Sequence, residues 1–313
     1  MAKPITRMLR KLANVMGYDL LRLQKTTIHP EAKSGLGRGG GFDAFEPVLP
    51  RPVKAFDIIL RSCARVEIHG QGNRKRVVDA PKSEVIARCL NSLIRAINAA
   101  IPLVPETRIS LTVIDDHSSP ECVETITRLL AHANCPTAFI ALDVTGNGPS
   151  EGAVLRHARV NCSDVVYFVE DDYLHDECAV AEMILSYGRL ASTLGEKDII
   201  LFPCDYPDRY RHVEPALILL GNGRHWRTVH NTTFTFVTTR SLLDRYWDNY
   251  IALERYGTDP AITEASTIEK IYAEVPCLAP LTSLSVHLQQ FDSISPYVDW
   301  RRWWENAALG DAS

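Results

Sequence analysis

From residue 56 to about 180, short apolar runs alternate with stretches whose apolar positions recur at helical spacing. The runs at 56–60, 109–114, 137–142 and 165–169 read as strands. Residues 83–100 carry Val85, Ile86, Leu90, Leu93, Ile94 and Ile97 on one face and read as a helix with Ser83 at its N-cap; 120–131 and 152–160 read as two more. The run Val165-Val166-Tyr167-Phe168-Val169 is almost wholly apolar, as a parallel strand covered on both faces requires. Strand and helix in this rhythm predict an α/β sheet with right-handed crossovers. The second half is less regular. Strands are expected at 198–202 and 232–238, and helices at 241–250 and 261–273.

Ahead of this pattern lies a basic segment, 3–25, with Ile5, Met8, Leu9, Leu12, Val15 and Met16 at helical spacing. It reads as a helix that either lies on an anionic membrane surface or packs on protein. A Gly/Pro-rich linker, 30–52, follows. The chain thus divides into an N-terminal segment (1–52), an α/β domain (53–298, its regular half ending at about 180) and a tail (299–313). The tail's Trp300, Trp303 and Trp304 suit a lid, an interfacial anchor or a docked helix, and docking is expected.

Composition narrows the functional classes. Of 313 residues, 34 are Lys or Arg and 38 Asp or Glu, a formal charge of −4, so no basic field points to nucleic acid. No apolar run reaches the roughly 18 residues of a membrane span, and the N-terminus lacks the apolar core of a secretory signal. The eight cysteines are scattered without a Cys-x-x-Cys pair, which predicts reduced thiols rather than disulfides or a zinc site. A cytoplasmic protein, with peripheral membrane contact through 3–25 as its variant, is expected.

Ligands of open α/β sheets bind beyond the carboxyl ends of the strands. Two acidic clusters stand there: Asp115-Asp116 after the second strand and Glu170-Asp171-Asp172 after the fourth. Three carboxylates at the end of a buried strand are costly unless donors or a cation receive them. With the strand conformation continued, Glu170 and Asp172 point one way and Asp171 the other. Such a pair suits Mg²⁺ or Mn²⁺ gripping a diphosphate; a solvated acidic turn is the plainer alternative.

The order of these pieces resembles the nucleotide-sugar glycosyltransferases of the GT-A fold, family 2 in particular. The resemblance is carried by Ile58-Ile59-Leu60-Arg61-Ser62, Ile114-Asp115-Asp116-His117-Ser118-Ser119, Gly146-Asn147-Gly148 and Val169-Glu170-Asp171-Asp172, a Glu-Asp-Asp form of the metal motif. It implies a Rossmann-like mixed sheet flanked by helices and a metal-dependent, inverting transfer of a sugar from a UDP- or GDP-sugar to a hydroxyl of a glycan or lipid-linked saccharide. It places Arg61, Ser62, Asp115, Asp116, Arg156, Glu170 and Asp171 around the nucleotide, with Asp115 or Asp116 on the nucleobase imide and Arg156 toward the diphosphate. Asp172 becomes the direct metal ligand, Glu170 an outer one and the late His287 a third, a mixed set that favours manganese.

Two carboxylates, Asp259 and Glu264, stand where the family's base is expected; Asp259 also reads as a helix cap before Pro260, which favours Glu264. Trp226, between His225 and Arg227, reads as an acceptor-stacking ring or as a packing residue. A nucleotidyltransferase on a related sheet and a non-catalytic sugar-nucleotide or glycan-binding protein are the rival functions, with a methyltransferase ranked below both.

Overall fold

The computed structural model describes residues 49–65, 77–195, 197–211, 215–289, 291–295 and 297–309. The basic segment 3–25 and nearly all of the linker 30–52 lie outside them. Strands β1 (Ala55–Ser62), β2 (Arg108–Asp115), β3 (Thr137–Ala141) and β4 (Val165–Glu170) run parallel in the spatial order β3-β2-β1-β4. Helices α1 (Lys82–Ala100), α2 (Pro120–Leu130) and α3 (Asn147–Asn161) connect them. β1 and β4 are buried along nearly their whole length, which is why neither alternates in sequence. Their last residues, Ser62 and Glu170, therefore emerge together with Asp115 at one edge of the sheet.

After a turn at Asp171-Asp172 come β5 (Tyr173–His175), α4 (Ala179–Thr193), β6 (Ile200–Leu201), β7 (Ile218–Leu220), β8 (His225–Thr228) and β9 (Phe236–Thr239). Helices α5 (Arg240–Arg245) and α6 (Trp247–Ile251), strands β10 (Cys277–Pro280) and β11 (Ser285–His287), and helix α7 (Trp300–Asn306) complete the chain. β9 joins β4 antiparallel and extends the sheet to nine strands, in the order β3-β2-β1-β4-β9-β6-β10-β8-β7. The expected mixed α/β sheet flanked by helices is what forms. One main core runs under both halves, from Phe56 and Leu90 through Tyr167 and Phe236 to Leu278. Among the described residues no helix is long and apolar enough to cross a membrane.

Three local expectations give way. Ser83 does not cap α1: the helix begins at Lys82 behind Pro81, without a side-chain cap. Helix α3 starts at Asn147 rather than 152, because Gly146 takes φ +109° and turns the chain directly into it. Gly148 on α3 lies so close to the chain at 254–256 that a Cβ there would stand 2.5 Å from the carbonyl oxygens of Glu254 and Tyr256. The expected helix 261–273 is two 3-10 turns. Thr263 and Ser266 cap each other, and Thr267, at φ −124° and ψ −95°, breaks the run before Ile268.

A second, smaller core joins α7 to α1 and to strands β5 and β11. Trp300 and Ala307 pack with Val85 and Cys89 of α1, Leu174 of β5 and Val286 of β11. Arg88 stacks on Trp304, 4.4 Å from its ring centroid, and donates to its carbonyl at 2.9 Å. The tail is a docked helix.

Candidate active site

The acidic tip after β4 distributes its three carboxylates to three partners. The main-chain run ends at Glu170, whose N–H donates to Thr235 Oγ1 at 3.0 Å, so the strand does not continue through the motif. Glu170 Oε1 accepts from Arg61 Nη2 at 3.0 Å. Asp171 accepts from the Cys63 amide at 2.8 Å and pairs with Lys82 at 2.5 Å. Asp172 faces His287, Nε2 to Oδ2 3.3 Å, while its buried Oδ1 has no hydrogen-bond partner among the described residues.

The meeting of Asp172 with His287, 115 positions apart in the chain, has a simple cause: β5 and β11 form a two-stranded antiparallel ribbon with Tyr173 opposite His287, and Leu288 N–H donates to Asp172 O at 2.9 Å. The Tyr173 ring stacks on the His287 ring at 4.5 Å, and His287 Nδ1 lies 3.2 Å from the Tyr206 hydroxyl. Tyr206 in turn meets the Tyr173 hydroxyl at 2.9 Å. The imidazole is thus clamped before any ligand arrives. Burial works against both charges of the pair, but their mutual attraction, helped by Lys82 and Arg61 at Asp172 and by Glu170 at His287, more than offsets it: the Asp172 carboxyl is held below its ordinary range and the His287 imidazole is pushed above its own.

Arg61 is the hub of the opposite wall. Its guanidinium donates to Asn147 Oδ1 and to Ser150 Oγ at the start of α3, bonds Glu170, and lies 3.6 Å from Glu151. Glu151, one residue ahead of the helix predicted at 152–160 and not singled out by the sequence, is 4% exposed. Burial, only partly countered by Arg61, pushes its carboxyl up to about 8. Between pH 4.5 and about 8 the folded protein therefore holds a proton that the unfolded chain does not, and stability falls as pH rises through that window. Glu151→Gln is expected to remove that decline; denaturant titrations at pH 5, 6.5 and 8 check it, and an unchanged slope would place the proton elsewhere.

Asp115 and Asp116, expected on the nucleobase, are both buried and engaged by the protein's own donors. Asp115 accepts from the Ser62 and Ser118 hydroxyls, each at 2.6 Å, and from the Ser118 amide at 2.9 Å. Asp116 accepts from the Gly146 amide at 2.9 Å and contacts His117 Nδ1 at 2.8 Å. His117 sits at φ +58°, the left-handed conformation that lets Ser118 fold back onto Asp115. Ser62 and the two aspartates thus tie the ends of β1, β2 and the α3 entry into one frame.

Of the two base candidates, Glu264 acts by its charge on Tyr256, raising the phenol, and on Glu151, adding to the rise of its carboxyl. Asp259 closes its own turn, accepting from the Ala261 amide at 3.0 Å and pairing with Arg255 at 3.5 Å. Arg156 pairs with Glu254, on the segment that Gly148 admits. Trp226 corrects the acceptor expectation outright: it is 0% exposed in the main core and has no surface with which to meet a sugar. Cavities of about 340 and 300 Å³ lie on either side of α7, lined by residues such as Arg95 and Trp303 or Glu84 and Trp304 and by none of the tip carboxylates.

Among the described residues no three His, Cys, Asp or Glu side chains are grouped so as to enclose a metal ion. The donors that fit one are two, the unpartnered Asp172 Oδ1 and the His287 imidazole. Magnesium-type cations are commonly held by one or two protein ligands with water and substrate phosphates completing the shell, so two donors suit a cation that arrives with a diphosphate.

The chain matches no protein-family model and no curated protein. Similar solved structures include S. aureus TarS (14% identity, 73% of this chain, TM-score 0.43) and TarS 1-349 in complex with UDP (14% identity, 74% of this chain and 59% of that one, TM-score 0.45). The UTP-bound UGPase from Acinetobacter baumannii is another (9% identity, 82% of this chain and 92% of that one, TM-score 0.45). This chain spans 35% of the length of the first TarS structure.

Proposed function

We propose that this protein is a GT-A-type glycosyltransferase that moves a sugar from a nucleoside-diphosphate donor to a hydroxyl acceptor. The observation that carries the reading is the clamped Asp172–His287 pair, set beyond the carboxyl end of β4 with one carboxylate oxygen free of any protein donor. A Mn²⁺ or Mg²⁺ ion held by Asp172 and His287 would neutralise charge on the departing diphosphate. Glu170, drawn to Arg61, orients the opposite wall rather than the cation. Ser62, Asp115 and Asp116 hold the strand ends on which the nucleoside would rest. Glu264, on a capped turn and close enough for its charge to act on Glu151, is the carboxylate that would accept the acceptor hydroxyl's proton during in-line attack.

A panel of UDP- and GDP-sugars, each with and without Mn²⁺, tests this by thermal shift and product analysis. One donor is expected to stabilise the fold in a Mn²⁺-dependent way, since only a ligand of the native state does so. Nucleoside diphosphate should then accumulate. Release of pyrophosphate from a nucleoside triphosphate would instead identify a nucleotidyltransferase, and binding without turnover a sugar-nucleotide-binding protein.

A further inference from the structure

With Trp226 in the core, the acceptor side lacks the ring that the sequence put there, and the surface supplies others. Among the described residues three aromatic side chains are prominently exposed: Tyr210 at 50%, Phe291 at 48% and Tyr297 at 71%. They come from segments that flank the clamped histidine. Tyr210 ends the 3-10 turn Pro207–Tyr210, next to the Tyr206 that meets His287, and Phe291 opens the turn Phe291–Ser293 soon after His287 itself. The Tyr210 and Tyr297 rings meet edge to face, 6.3 Å between centroids and 74° between planes. Arg211 and Asp292, 3.7 Å apart, bridge the two turns at the rim.

Tyr210 is held in place by groups that have no other evident task. Its hydroxyl donates to the wholly buried Asp205, and the Arg227 guanidinium, 4.6 Å from its ring centroid, donates to the same carboxylate at 2.9 Å. A buried Asp–Arg pair thereby fixes a ring that leaves half its surface in water. Fixing a ring in advance lowers the entropy lost when a ligand covers it. The chemistry around the rings is mixed: aryl faces with one cation and one anion on the rim. That combination suits a pyranose, which offers a C–H face to an aromatic ring and hydroxyls to charged neighbours, better than it suits a purely apolar partner.

We infer that Tyr210 and Tyr297, with Arg211 and Asp292 at their rim, form a stacking platform for a sugar ring of a glycan acceptor. That the ligand is an acceptor rests on the glycosyl-transfer reading; that it is a carbohydrate rests on the platform itself. The test presents the full chain to a printed array of defined neutral glycans and measures the free form of any glycan retained. Wild type is expected to bind a subset, Tyr297→Ala to weaken it about three- to tenfold, and Tyr297→Trp to retain it. Denaturant melts of Tyr297→Ala should match wild type, as truncation of a ring 71% exposed predicts, which separates lost binding from a lost fold.

An array on which wild type holds no glycan overturns the platform, as does a Tyr297→Ala protein that binds like wild type. Glycan binding that depends on Tyr297 without any donor turnover would keep the platform and remove the glycosyl-transfer reading. Donor turnover with Tyr297-independent glycan binding would do the reverse.

Discussion

Asp172→Asn is expected to lower donor turnover by about 10²–10³-fold or more while leaving a cooperatively folded protein. The substitution is nearly isosteric and keeps the main-chain bond from Leu288 to residue 172. It removes the charge on the one tip carboxylate whose Oδ1 no protein donor occupies. The neighbours that hold Asp172 ionised, His287 first and then Lys82 and Arg61, would remain with one anion fewer, so the site turns more positive without losing a ring or a helix. Two measurements separate the possibilities. Thermal shift with Mn²⁺ and the active donor should lose its metal-dependent part, and product release should fall with it. Full turnover in the variant would remove Asp172 from the chemistry, whatever the other residues do.

How much of this was legible in the sequence depended on the range of the interaction. The four parallel strands were readable because double-sided burial leaves a local trace: β1 and β4 are apolar almost throughout, and β2 and β3 are bounded by turn residues. The acidic tip was readable for the complementary reason, since Glu170-Asp171-Asp172 contradicts the strand that delivers it. What those acids face was not readable. Lys82 reaches Asp171 from the start of α1, and no spacing links the two. Glu151 was not singled out at all, and the charge it meets, Arg61, comes from a different element of the chain. Trp226 failed for the opposite reason: polar neighbours on both sides suggested exposure, yet β8 alternates and turns that one residue into the core. The late histidine was placed by resemblance, and the β5–β11 ribbon supplies a physical reason for its position.

Arg61→Met should produce the largest loss of stability, about 3–5 kcal/mol near neutral pH, because it strands buried acid rather than merely deleting a contact. Arg61 is itself mostly buried and lies between Glu170 and Glu151, at 3.0 and 3.6 Å. Methionine fills similar volume but returns nothing to either carboxylate, nor to Asn147 and Ser150 at the head of α3. The sign with pH follows from the same pair. Burial raises both carboxyls above their ordinary value even with Arg61 in place, and Arg61 is the main influence lowering them. Without it both should rise further; Glu151 already holds its proton at pH 7.5, so the charge left stranded there is that of Glu170, which acid neutralises, relieving the defect. Denaturant melts of Arg61→Met are therefore expected to fall well below wild type at pH 7.5 and to approach it at pH 5. A defect of equal size at both values would mean that lost packing dominates; no defect at pH 7.5 would mean that Glu170 has another counter-charge. Arg61→Lys should fall between, since an ammonium restores the charge but not the fork that bonds α3 and β4 at once. The same fork makes Arg61 a structural condition for the site: it fixes the wall that Glu170 and the α3 entry present to the Asp172–His287 pair, so its loss should weaken donor binding even at the pH where stability recovers.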